Sequence, residues 1–133
     1  YAIVETGQKM LEAGESALDV VTEAVRLLEE WPLYNAGIGS VITRDETPEL
    51  AAFVMDGVTL KAGAVAGVCH LRNPVLAARL VMEESQHVLL AGAAAEKFAI
   101  EHGMEPVSPE LFSTEERYQQ LLEARTAGIL QLD

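Results

Sequence analysis

The chain has a single cysteine, Cys69, among its 133 residues. An internal disulfide is therefore excluded, which fits a reducing compartment such as the cytoplasm. Long apolar runs are also missing. The longest, Val88 to Ala95, is eight residues of mostly small side chains, far short of the ~18 that a membrane span needs. No basic segment leads into an apolar one near Tyr1, so no signal peptide is expected. Bases are scarce as well: nine Lys and Arg stand against 21 Asp and Glu, for a net charge of −12. Such a surface repels phosphate backbones and excludes nucleic acid as a partner. The acids are dispersed and read as solvated helix faces. The chain contains no repeat, no low-complexity stretch and no internal linker, so residues 1–133 form one unit.

What is present is half hydrophobic, enough for a core. Residues 2–13 read as a helix stopped by Gly14. Ser16 caps a second helix with Asp19 three residues on. Leu18, Val21, Val25 and Leu28 form its apolar stripe, and Pro32 ends it. Trp31 to Gly39 is a loop rich in turn residues. Ser40 to Arg44 reads as a short strand. Leu50 to Met55 is apolar throughout, so its pattern predicts a strand covered on both faces. Asp56-Gly57 is a hairpin turn, and Thr59 to Val68 returns as a strand of unusually small residues. Those residues predict tight packing of another layer. Asn73 and Pro74 cap and open a helix over 74–84. His87 to Ala91 reads as a short buried strand, and residues 93–102 as a helix closed by Gly103. Ser108 starts another turn, and Ser113 with Glu116 predicts a capping box for a final helix to Ala127. Strands flanked by helices around an antiparallel hairpin make a layered α/β domain.

A self-contained catalytic group is hard to find. Cys69 and His70 are adjacent, and neighbours on a strand point to opposite faces, so they are not expected to pair. His87 and His102 are 15 residues apart with no further ligand at zinc spacing. Asp56 reads as a turn residue. Asn35, before Ala36-Gly37 in a loop, is by itself most often a turn residue too.

Four segments change that reading. Asn35-Ala36-Gly37-Ile38-Gly39-Ser40, Met55-Asp56-Gly57, Gly63-Ala64-Val65-Ala66-Gly67-Val68, and Asn73-Pro74 through Arg79 to Glu83 stand in this order. Their order and spacing resemble the α portion of plant-type L-asparaginases, also called isoaspartyl aminopeptidases. These are N-terminal-nucleophile hydrolases. The resemblance covers most of the chain, from about Ala2 to about Leu132, and it implies a four-layer αββα sandwich of which this chain supplies only part. The first strand, with its His-Gly-Gly turn, is expected before Tyr1, and the β-chain strands after Asp133. The precursor would cut itself in two, and the new N-terminal Thr of the β chain would be the nucleophile. The expected activity is hydrolysis of isoaspartyl peptides and L-asparagine by a dimer of αβ units, with no catalytic residue on this chain. Asn35 would support the site. A structural sodium ion would lie on backbone carbonyls of Leu28, Glu29, Trp31, Tyr34, Ala36 and Ile38, as a hard cation wants oxygens. Two positions depart from the pattern: Ala51 where Asp is usual, and Ala94 where Gly is usual. The alternatives are an aspartylglucosaminidase-like amidase subunit, which shares Met-Asp-Gly and the Asn-Pro pattern, and a non-catalytic acidic binding or scaffold domain.

Overall fold

Gly63 decides how the layers meet. A β-carbon there would fall 2.5 Å from the backbone nitrogen of Met82 and closer still to the carbonyl oxygen of Ala78. The helix bearing Ala78 and Met82 therefore lies directly on the sheet, as the small-residue strand predicts. The computed structural model describes residues 1–128. In chain order it has α1 (Ala2–Glu12), α2 (Ala17–Glu30), β1 (Leu50–Met55), β2 (Ala62–Val68), α3 (Pro74–Glu84), β3 (Leu89–Ala91), α4 (Gly92–Glu101) and α5 (Glu115–Ala127). Short 3-10 turns occupy Gly37–Gly39 and Pro109–Phe112. None of the described helices is long and apolar enough to cross a membrane.

The sheet order is β1-β2-β3, with β1 and β2 antiparallel and β2 and β3 parallel. Leu50 pairs with Val68 but Ala52 with Val65, so β2 carries one extra residue. Gly67, at φ +63, takes up that bulge. One face of the sheet is the core. Leu50, Val54, Val65 and Val68 pack there against Val75, Ala78, Val81 and Met82 of α3. The other face is open. Phe53, Ala64 and Leu89 sit side by side across the three strands, with Phe53 82% and Leu89 57% exposed. The cover expected on both faces of β1 is thus present on one, and β3 is not the buried strand its pattern suggests.

Other expectations are corrected by partners that sequence spacing does not reveal. Ser40 to Arg44 forms no strand. No strand among the described residues pairs with it, and Thr43 instead closes a local turn with Thr47 through backbone and hydroxyl bonds. The apolar stripe of α2 divides: Leu18 and Leu28 are half-buried, while Val21 and Val25 stay exposed. The buried positions of α2 are Val20, Thr22 and Glu29. The last helix is capped by Thr114, whose hydroxyl accepts from the Arg117 N–H, one residue later than the Ser113 box. Ser16 does cap α2, accepting from Asp19 N–H at 3.1 Å.

Candidate functional site

Helix α2 ends at Glu30 because Trp31 turns extended ahead of Pro32. The chain then folds back on itself. Tyr34 N–H donates to Trp31 O, Gly39 N–H to Ala36 O and Ser40 N–H to Gly37 O. Arg117 reaches in from α5 and donates from Nε to Gly39 O at 2.9 Å. The glycines permit this turn. Gly37, at φ +51, presses against Glu29, whose Cβ would lie 2.8 Å from an added methyl. At Gly39, the carbonyls of Pro32 and Tyr34 occupy the place of a side chain.

Asn35 stands exposed on this loop, at the edge of an open groove of about 680 Å³ between α2, the loop and β1. Its Oδ1 accepts from Val41 N–H at 2.8 Å, which fixes the side chain and leaves the amide NH₂ to donate elsewhere. Exposed Val21 and Val25 form one wall and Ala51 and Phe53 part of the other. Ala51, where the family pattern has Asp, is exposed beside this groove, so no buried carboxylate is missing from the core. Ser40 lines the same groove and is only 5% exposed. Its Oγ is a buried polar atom with no hydrogen-bond partner among the described residues.

The groove's lining includes a buried carboxylate that sequence reasoning read only for its backbone carbonyl. Glu29 is 3% exposed. Its Oε1 accepts from Val75 N–H at 3.0 Å, and its Oε2 accepts from Asn73 Nδ2 at 3.2 Å. Asn73 therefore does not cap α3 with its own side chain. Glu29 does so across 46 residues of sequence. Burial is the main influence on this carboxyl and pushes its pKa up to about 7, opposed by the two hydrogen bonds. Glu30 beside it receives a two-pronged grip from Arg72, at 2.9 and 2.7 Å, which holds its carboxyl below the ordinary range.

The remaining candidates separate. Asp56 is the turn residue it reads as, accepting from Val58 N–H and the Thr59 hydroxyl. His102 bonds to Phe98 O and lies against the Phe98 ring. Cys69 and His70, by contrast, do pair, because β2 ends at Val68 and the chain turns there. Cys69 Sγ is 3.2 Å from His70 Nδ1, and Glu96 of α4 joins them. Burial, with the Glu96 charge, pushes the Cys69 thiol up, so it is not an activated thiolate.

Of the carbonyls expected to hold a cation, Glu29 O lies against Gly37 and Tyr34 O against Gly39, while those of Leu28, Trp31 and Ala36 each accept a backbone N–H. Leu28, Glu29, Trp31, Tyr34, Ala36 and Ile38 all belong to this one folded segment.

A family model described as Asparaginase matches residues 1–131. The chain belongs to this asparaginase family of N-terminal-nucleophile hydrolases. It is 76% identical over 99% of its length to an isoaspartyl peptidase of Escherichia coli, strain K12, covering 41% of that protein. It is 72% identical over 98% of its length to an isoaspartyl peptidase of Salmonella typhimurium, covering 42% of it. A plant-type L-asparaginase of Pyrococcus furiosus is 51% identical over 92% of this chain and is covered to 39%. The chain thus spans about 40% of the length of these relatives. The family's layered α/β architecture agrees with the mixed sheet and the helix layer seen here.

Proposed function

We propose that this chain is the α portion of an isoaspartyl peptidase and L-asparaginase that matures by cutting itself. The reading is carried by Asn35, held by Val41 N–H on a glycine-built loop at the edge of the groove, in a chain 76% identical to an isoaspartyl peptidase. The nucleophile would be the N-terminal Thr of a β portion. Its hydroxyl attacks the side-chain-type carbonyl of the substrate, and its own α-amino group takes the proton. That proton passes to the leaving amine, which departs as ammonia from asparagine or as the amino end of the released residue from an isoaspartyl peptide. Water then hydrolyses the acyl-enzyme. The pKa of an α-amino group, ~7.7–8.0, suits this work near neutral pH. Asn35 would donate its amide to the nucleophile or substrate.

The β portion would cover the open sheet face carrying Phe53 and Leu89, and two αβ units would assemble in the cytoplasm. A sodium ion on the carbonyls of Leu28, Glu29, Trp31, Tyr34, Ala36 and Ile38 would hold the loop so that Asn35 keeps its place. When bound, the ion supplies only charge to organise those oxygens.

The direct test compares the whole encoded protein with the 133-residue chain, using β-aspartyl-leucine and L-asparagine. Turnover by the whole protein and none by the chain alone is expected. Turnover by the chain alone would overturn the assignment of the nucleophile to a β portion. Asn35→Ala should lower kcat/KM by about 10- to 1000-fold, the worth of one well-placed polar contact in a site. It should cost only about 0.5–1.5 kcal/mol of stability, the Val41 hydrogen bond. Asn73→Ala is the control, since Asn73 bonds Glu29 and Glu30 without itself lining the groove. It should destabilise by about 1–3 kcal/mol while kcat/KM stays nearly unchanged. Normal turnover by Asn35→Ala would reduce Asn35 to a turn residue.

A further inference from the structure

Where β2 ends, three side chains of different chemistry meet. Cys69 and His70 follow the last residue of β2, and Glu96 projects from the second turn of α4. Sγ to Nδ1 is 3.2 Å and Nδ1 to Glu96 Oε2 is 3.0 Å. The three potential ligand atoms all lie within 4.8 Å of one another. Tetrahedral bonds of ~2.0–2.3 Å from zinc to N, O and S would set such atoms about 3.3–3.7 Å apart. Two of these separations would open by a few tenths of an ångström on an ion, and the third, Sγ to the Glu96 carboxylate at up to 4.8 Å, would close by up to about 1 Å through side-chain rotation.

The frame around the three is already fixed. Glu96 Oε1 accepts the backbone N–H groups of Cys69 at 2.8 Å and His70 at 3.2 Å. Those bonds orient the carboxylate while Oε2 faces the histidine. The next residues are tied too: His70 O accepts from Val107 N–H at 2.8 Å, and Leu71 bridges to Pro106. Ligand carboxylates in metal sites are commonly held by such outer hydrogen bonds.

We propose that Cys69, His70 and Glu96 form a site for a borderline-soft divalent transition metal, of the zinc class, that fastens α4 to the end of β2. A thiolate, an imidazole and a carboxylate together favour zinc over calcium, magnesium or sodium. Charge balances: thiolate and carboxylate neutralise the dication. On binding, the Cys69 S–H bond breaks, its proton goes to solvent, and the sulfur lone pair forms the metal bond. Three protein ligands leave the fourth position to water. The site is independent of the proposed hydrolytic chemistry and does not require it.

The test uses the whole encoded protein, stripped with a chelator and titrated with Co²⁺ as a spectroscopic stand-in for zinc. One equivalent should produce a thiolate-to-cobalt charge-transfer band with tetrahedral d–d absorption, and Zn²⁺ should abolish both by competition. Cys69→Ser keeps the shape of the side chain and should remove the charge-transfer band. Both Cys69→Ser and Glu96→Gln should weaken Zn²⁺ binding by about 100-fold. Far-UV circular dichroism of the same variants separates a lost ligand from a lost fold, and His70→Ala, on an exposed ring, provides a third variant that should bind as weakly. Absence of the charge-transfer band in the native protein would overturn the proposal. So would equal Zn²⁺ affinity in native protein and Cys69→Ser.

Discussion

Gly63→Ala should cost about 3 kcal/mol or more, enough to remove much of the stability of an ordinary domain. The added methyl group would overlap the Ala78 carbonyl and the Met82 nitrogen. Both are backbone atoms of α3, so no side-chain rotation relieves the clash. The helix must lift from β2, and Val65, Val75 and Val81, all 1% exposed or less, would lose contact together. The matched control is Gly57→Ala in the hairpin turn. A β-carbon there meets nothing within 4 Å, and Gly57 is not among the positive-φ glycines. That change should be neutral or stabilise by up to about 1 kcal/mol through the unfolded state. Urea denaturation of the two variants measures the contrast. Similar midpoints for both would mean that α3 does not rest on Gly63.

Glu29 should give the protein a pH dependence opposite to that of most carboxylates. Its folded pKa, about 7, stands above the ordinary value of 4.5. The folded state therefore holds a proton that the unfolded state has released between those two values. Stability from this group is complete below pH 4.5 and falls as pH rises towards 7. It then levels off, a loss of about 3 kcal/mol at ~1.4 kcal/mol per pH unit. Glu29→Gln resembles the protonated acid: its oxygen can still accept from Val75 N–H, and it cannot ionise. It should flatten the profile across this window. Glu29→Ala leaves a buried Val75 N–H unpaired and a small void, and should cost about 2–4 kcal/mol near pH 4.5, a cost that shrinks as pH rises and the native protein loses the Glu29 contribution. Denaturation from pH 4.5 to 8 reads both. A native profile that matches Glu29→Gln throughout would show that Glu29 keeps an ordinary pKa.

The contrast between these two residues explains what could be read from the chain. Gly63 lies in a run of small residues whose meaning is local: a strand made of them invites a close neighbour, and α3 supplies it. Pro74 likewise places the start of α3 correctly, because a proline at the first turn needs no partner for its nitrogen. The cap of that helix was not legible. Asn73 has the right chemistry at the right place, yet its amide is drawn to Glu29 and Glu30, and the cap arrives from another helix. Ser40 to Arg44 failed for the same kind of reason. Val41, Ile42 and Thr43 favour a strand, but a strand requires a neighbour, and none of the described residues pairs there. Asn35 lies between these cases. Its loop was legible from Pro32, Gly37 and Gly39, while its bond to Val41 N–H belongs to the folded turn. The meeting of Cys69 and His70 with Glu96 depends on where β2 stops, a boundary that residue pattern fixes poorly.

The row of Phe53, Ala64 and Leu89 has a consequence for how such a molecule must be made. A sheet face of this kind is adhesive towards any other exposed strand or apolar surface, its own copies included. Cover supplied by the same polypeptide arrives at an effective concentration on the order of millimolar, well ahead of stray encounters in a dilute cell extract. Cover supplied as a separately synthesised chain has to win that race by diffusion. Synthesis first and scission afterwards would turn a search into a short intramolecular step. Co-expression of two ready-made halves should then give a lower yield of soluble protein than expression of one continuous chain.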